Sequence, residues 1–196
     1  MRRTLLSLLL LPAALSAQVD LTIRSGFAAH GAHAADEHAS GAPSFRPGTA
    51  AEAAIAIGVR RGSWRVAVTL RRAPADLILR GSDAGIITPD ALAATAMALE
   101  LGHRIAGSPG RATLSLLAGV ERVRWSFPGL DEPARSGWGA LAALEGTTRL
   151  AARLDILVRV DAARTASLFT DEELPTGFTR MSASRIGLSV GIRVGR

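Results

Sequence analysis

The amino-acid sequence predicts an all-β fold, a single eight-stranded antiparallel up-and-down transmembrane β-barrel preceded by a cleaved signal peptide. Three observations carry that prediction. A short apolar run follows two N-terminal arginines, apolar residues then recur at every second position in eight separate segments, and the connections between those segments alternate between short and long.

The export signal comes first along the chain. Arg2 and Arg3 precede the apolar run Leu5 to Leu11, which is followed by Pro12 and the small residues Ala13 to Ala17. A positive start, a short apolar centre and a small-residue end is the order that signal peptidase substrates share. The run is too short for a membrane-spanning helix, which needs about 20 apolar residues. Cleavage is expected after Ala17, with Ser16 as the rival, so residues 1–17 form the signal peptide and residues 18–196 the barrel.

From Gln18 onward the apolar period is two, that of a strand with chemically different faces. Strand one sets Val19, Leu21 and Ile23 against Asp20, Thr22 and Arg24, and strand two sets Ile55, Ile57 and Val59 against Ala54, Ala56, Gly58 and Arg60. Strand three opposes Trp64, Val66, Val68 and Leu70 to Arg65, Ala67, Thr69 and Arg71. Strand four opposes Met97, Leu99 and Leu101 to Ala98, Glu100, Gly102 and Arg104. Leu114, Leu116, Ala118 and Val120 form the apolar row of strand five, and Trp138, Ala140, Ala142 and Leu144 that of strand six. Strand seven alternates Leu150, Ala152, Leu154, Ile156, Val158 and Val160 with Arg153, Asp155, Leu157, Arg159 and Asp161. Strand eight alternates Ile186, Leu188, Val190, Ile192 and Val194 with Arg185, Gly187, Ser189, Gly191 and Arg193.

Three connections are expected to be tight, at Arg61 to Ser63, Ala106 to Gly110 and Thr148 to Arg149. Four are expected to be long loops, from His30 to Ala51, Arg80 to Asp90, Pro128 to Gly137 and Thr170 to Arg180. Short turns on one side and long loops on the other is the asymmetry of barrels that cross an outer membrane. The row opposite the apolar one is rich in Gly, Ala and Ser with scattered charges. That composition suits a narrow lumen, where eight strands leave space only for side chains. A soluble ligand-binding barrel in the periplasm stays open as an alternative, because period two alone does not say which face points outward.

Over residues 18–196 the pattern resembles the family of small outer-membrane β-barrels of the OmpA and OmpX type. The resemblance is architectural, with one sharper match. The family's assembly signal, read by the barrel-insertion machinery, has a polar residue, a Gly two on, and hydrophobic residues five and seven on; Arg185, Gly187, Val190 and Ile192 supply these. Where the family commonly closes on Phe or Trp, this sequence has Val194, Gly195 and Arg196. The resemblance implies an outer-membrane location, contact with outer-membrane lipids and lipopolysaccharide, and a monomer.

Composition narrows the function. All 23 basic residues are Arg, and they alternate with acidic residues along strands instead of gathering on one face, so nucleic acid is not an expected partner. With no Cys there is no thiolate nucleophile and no Cys-type zinc site. No Ser, His and carboxylate share a face, so no enzymatic activity is expected, and no cofactor is implied.

Four sets of residues remain as candidates. The predicted lumen collects charges at two levels, Arg24, Arg65, Arg153 and Arg193 with Asp20, Glu100, Glu145 and Asp155, then Arg71, Arg159 and Arg185 with Glu52, Glu121 and Asp161. Balanced charges in a poorly hydrated interior should pair and close it, with Glu145 and Arg153 as cross-strand neighbours. Trp64 and Trp138 are placed as membrane-interface anchors. Arg122, Arg124 and Arg164, with Arg72, Arg80 and Arg180 nearby, lie where lipopolysaccharide phosphates would reach them. His30, His33 and His38 in the first long loop are potential metal ligands. The function that follows is structural or surface-interacting, with long loops extracellular; a narrow channel for small or hydrophobic solutes is the alternative.

Overall fold

The computed structural model describes residues 17–36, 43–81, 85–108, 111–129 and 132–195. The predicted signal peptide therefore lies outside the described residues except for Ala17. The strands in chain order are β1 (Gln18–His30), the short β2 (Ala34–Asp36) and β3 (Ser44–Pro47), β4 (Ala50–Arg61), β5 (Trp64–Arg80), β6 (Gly85–Gly107), β7 (Thr113–Ser126), β8 (Arg135–Ala151), β9 (Leu154–Thr165), the short β10 (Phe178–Arg180) and β11 (Ala183–Gly195).

Eight of these close a ring. Each pairs antiparallel with its successor in the order β1, β4, β5, β6, β7, β8, β9, β11, and β11 returns to β1 through a register that runs from Asp20 opposite Gly195 to His30 opposite Arg185. Closure satisfies every ladder hydrogen bond without leaving an edge, the condition for a sheet to sit in hydrocarbon.

Alternation along the strands sorts side chains between two environments. On β1 the inward residues Asp20, Thr22 and Arg24 are buried, while Val19, Leu21 and Ile23 face out. On β11, Ile186, Leu188, Val190, Ile192 and Val194 are all outward and exposed, and Ser189 and Arg193 are buried between them. Five outward residues at every second position of a strand tilted by about 40° span roughly 20 Å, close to the apolar band of an outer-membrane barrel. A belt of exposed Val, Ile and Leu around the whole ring requires lipid, and its outward direction excludes the soluble ligand-binding barrel.

The two sides of the ring differ as expected, with two departures. Gly62 and Ser63 join β4 to β5 in a two-residue turn, where Gly62 has φ 61°, a conformation that suits glycine. The β8–β9 turn, however, is Ala152 and Arg153, not Thr148 and Arg149. Thr148, Arg149 and Ala151 still pair, with Ile156, Asp155 and Leu154. The second departure is on the other side, where β5 and β6 continue as a hairpin well beyond the ring. Leu77 to Arg80 pair with Thr88 to Gly85 in place of the expected loop Arg80 to Asp90. The hairpin bends at a bulge beside Asp76, whose Oδ1 accepts the Asp90 backbone N–H at 2.9 Å.

The first and fourth long connections are also partly ordered by pairing. Strand β2 pairs with β3 and β10, and β3 pairs with β5, so the first loop docks on the extended hairpin and the fourth docks on the first.

Candidate functional site

The lumen has three zones, each made by inward positions at one height. In the middle, guanidinium groups and carboxylates interleave. Arg159 on β9 grips Glu100 on β6 through two bonds, Nη1 to Oε2 at 2.7 Å and Nη2 to Oε1 at 3.1 Å. Arg71 reaches Glu121 at 3.0 Å, and Arg185 bonds Glu52 at 3.0 Å and also Asp161. Nearer the short turns, Arg65 lies 2.5 Å from Asp20, and Arg193 lies 2.5 Å from Glu145. Thr22 accepts from Arg193 Nε at 3.1 Å and from Arg65 Nη2 at 3.3 Å, linking the two pairs.

The inner residues of this set are almost fully buried, Glu121 at 1% exposure and Glu100 at 2%. Arg24 stands beside Arg159 with Glu100, Glu145 and Asp161 as the neighbouring carboxylates, and its Nε has no hydrogen-bond partner. Fork-to-fork contacts and shared partners are what make buried charge tolerable, since each desolvated ion costs several kcal/mol on its own. The space left between Arg24, Glu52, Arg71, Glu100, Glu121 and Arg159 is about 10 Å³, at the lower limit for a single water.

Two of the sequence-predicted charges do not join this network. Arg153 is exposed in the β8–β9 turn, so the expected pairing of Glu145 with Arg153 is wrong. Glu145 is opposite Arg159 in the register and bonds Arg193 instead. Asp155 stays at the short-turn mouth, half-buried, where it meets Arg149 at 3.3 Å. Moving a turn by an even number of residues leaves the parity of the flanking strands intact, so the inward faces are as expected while the identity of the pairs changes.

Above the charges the lumen turns apolar. Ala73, Ala75, Leu92, Ala94, Val123, Trp125 and Leu168 form a buried cluster, with Phe127 and Phe169 packed against it. Leu168 belongs to the fourth long connection, which dips into the mouth and is held there by His33. The Leu168 N–H donates to His33 Nδ1 at 2.9 Å, and Ser167 Oγ and the Met181 N–H both donate to the His33 carbonyl, at 2.8 and 2.9 Å. His33 is wholly buried, edge-on to Trp125 with ring centres 5.5 Å apart, and burial lowers its imidazole pKa to about 4. His30 packs on the same indole at 5.6 Å. Of the three expected metal ligands, His33 thus serves as a hydrogen-bonding and packing group of a cap, and His30 as a packing group. His38 lies outside the described residues, and among the described residues no group of three or more potential ligands is gathered. The cap is only half legible from sequence: Trp125 shares the inward parity of Glu121 on β7, but nothing local marks Leu168 as inward.

A second tie crosses the same end. Arg135 at the start of β8 lies 2.7 Å from Glu173 Oε1, while Glu173 Oε2 accepts the Thr170 N–H at 2.8 Å. That backbone bond holds the Glu173 carboxyl below its usual pKa range.

On the outer surface, Trp64 is exposed at the short-turn end and stacks on His103 with ring centres 4.3 Å apart. Trp138 is exposed at the long-loop end beneath Arg122, whose guanidinium lies 6.0 Å from the ring centre. Arg122, Arg124 and Arg164 all point outward. Arg122 bonds Ser136 at 3.2 Å and Arg164 bonds Ser182 at 2.7 Å. Arg72 and Arg124 share Thr95 as register partner, so the arginines form a belt where the apolar rows end.

No protein-family model matches the chain, and no curated protein matches it in sequence. Solved structures do. Neisserial surface protein A superimposes with a TM-score of 0.60 and 13% identity, covering 91% of this chain and 96% of that one. The fold is that of a small outer-membrane β-barrel. OprG, an outer-membrane protein from Pseudomonas aeruginosa, agrees with a TM-score of 0.56 and 12% identity over 90% of this chain and 95% of its own. At such identities an outer-membrane barrel of this size keeps its architecture while its lumen and loops are free to differ.

Sequence reading missed the mouth at the short-turn side. A cavity of about 350 Å³ opens there, lined among others by Arg60, Arg104, Arg111 and Arg149. The signal was present, since Arg60 and Arg104 fall on the inward parity of their strands, but arginine near a strand end is most simply read as a solvated rim.

Proposed function

We propose that this protein is an integral outer-membrane barrel, exported through residues 1–17, with its long connections outside the cell and a structural or surface-interacting role in place of conduction or catalysis. The observation that carries the reading is the mid-lumen ion-pair network. With about 10 Å³ free among its members, an ion would have to break several buried pairs to pass. The cap built by His33, Trp125 and Leu168 adds a second obstruction on the loop side. Surface interaction then falls to the extended β5–β6 hairpin and the first and fourth long connections, the parts that project beyond the apolar belt.

The outward arginines Arg122, Arg124 and Arg164 are suited to lipopolysaccharide phosphates, and Trp64 and Trp138 to the two interfaces. Insertion would proceed through the last strand, with Arg185, Gly187, Val190 and Ile192 read by the assembly machinery. The barrel would act as a monomer.

Reconstitution into planar bilayers tests the closed lumen. Traces without resolved openings are expected, and openings lost on replacing Glu100 or Arg159 would overturn the reading. Fractionation with heat-modifiable gel mobility tests location, with outer-membrane recovery expected.

A further inference from the structure

The short-turn mouth breaks the charge balance kept elsewhere in the lumen. Its cavity of about 350 Å³ is lined by Arg60, Arg65, Arg104, Arg111, Arg149 and Arg193, against only two carboxylates, Glu145 and Asp155, with Asp20 just behind. All three are already engaged. Asp20 lies 2.5 Å from Arg65, Glu145 lies 2.5 Å from Arg193, and Asp155 lies 3.3 Å from Arg149. Arg60 has only a long 4.0 Å approach to Asp20. It sits directly opposite Arg65 in the β4–β5 register, a like-charge pairing for which Asp20 is the shared counter-charge, close to Arg65 and distant from Arg60.

Space and hydroxyl groups accompany the excess charge. Gly62 and Gly102 line the cavity without side chains, and Ser63, Ser115, Thr113 and Thr147 offer hydroxyls on its walls. Its volume is at the small end of the range for organic ligands, about 300–1,000 Å³. The mid-lumen stops it as a blind pocket, so an anion that enters is held and not passed. Guanidinium forks in a partly enclosed cleft match the tetrahedral oxygens of a phosphoryl group better than they match a diffuse anion, and the cleft focuses the field on it.

We propose that this mouth is a binding site for a phosphoryl group on a small organic stem, with Arg60, Arg104 and Arg111 as its uncommitted cations. Two sources share that chemistry, a free phosphate monoester and the headgroup of a phospholipid in the adjacent leaflet. That the mouth faces the periplasm rests on the orientation proposed above; binding itself does not.

Calorimetric titration of the purified barrel in detergent tests it, with glycerol 1-phosphate against glycerol, and in parallel with phosphatidylglycerol against phosphatidylcholine in mixed micelles. Saturable one-to-one binding of one phosphate source is expected, and the arm that binds identifies the source. Arg104→Gln/Arg111→Gln should weaken it by about tenfold or more, the loss of one or two charge-assisted hydrogen bonds, while Arg80→Gln at the far hairpin tip leaves it unchanged. Absence of saturable binding in both arms, or equal affinity in the double variant, would overturn the proposal. A conducting lumen would instead be seen in bilayer traces, so the two readings fail separately.

Discussion

Arg193 on β11 reaches across the inward face of β9 to Glu145 on β8, bringing Nη2 within 2.5 Å of Oε1 in a lumen where both residues are about 3% exposed or less. Neither residue is on a strand adjacent to the other's. The same skip recurs where Arg65 on β5 meets Asp20 on β1 and where Arg71 on β5 meets Glu121 on β7, so the ion pairs brace the ring across strands that the backbone ladder does not join.

Removing one member should therefore cost more than removing both. Glu145→Leu leaves Arg193 buried without its nearest carboxylate and is expected to destabilise the barrel by about 3–5 kcal/mol. The double variant Glu145→Leu/Arg193→Met should recover much of that loss. Arg153→Ala, in the exposed turn, should change stability by no more than about 0.5 kcal/mol. Urea unfolding in lipid vesicles, followed by heat-modifiable mobility, measures all three.

These bridges mark how far sequence reading extends. Alternation tells which residues face the lumen, because parity is a local property of each strand, and Asp20, Arg24, Glu100, Arg159 and Arg185 are all inward. It cannot tell which charges meet. That depends on strand stagger and on side-chain reach across a curved interior, neither of which is written in one strand. The long hairpin is illegible for a different reason. Gly85, Pro89 and Asp90 locally favour a turn, and Asp90 does turn, with φ 50°, while only pairing with Leu77 to Arg80 holds Gly85 to Thr88 extended.

The seam between the first and last strands depends on close backbone approach. At Gly191 on β11 a Cβ would meet the Ile23 carbonyl oxygen and come within 2.7 Å of Arg24 Cγ and 2.9 Å of Arg24 Cα. Gly191→Val should therefore force β1 and β11 apart, costing at least the roughly 1–3 kcal/mol typical of overpacking. The folded, fast-migrating band of unheated protein should decrease, while Gly146→Ala, where nothing lies within 4 Å, leaves it intact.

The outward arginines should act on lipid and not on folding. Charge on the lipid face costs about 0–1 kcal/mol near an interface, and Arg122, Arg124 and Arg164 lie where the apolar rows end. Arg122→Gln/Arg124→Gln/Arg164→Gln is expected to fold normally but to retain several-fold less lipopolysaccharide through purification, measured by phosphate content. Unchanged retention would remove the anchoring role.

The cap should loosen in acid, and His33 sets the direction. Its folded pKa of about 4 lies below the ordinary value of 6.5, so the neutral form is the one the closed cap holds. The stabilisation is complete above pH 6.5 and declines as pH falls, since the open form then takes up a proton that the closed form refuses. Each pH unit between the two values removes about 1.4 kcal/mol, so by about pH 4 the accumulated loss approaches about 3 kcal/mol. Trp125, edge-on to His33, reports opening through its fluorescence in a Trp64→Phe/Trp138→Phe background. His33→Asn retains an acceptor for the Leu168 N–H but does not titrate, so its fluorescence should stay flat between about pH 7 and about pH 4. A transition that persists in His33→Asn would assign acid opening to another group, with His30, packed on the same indole, as the next to replace.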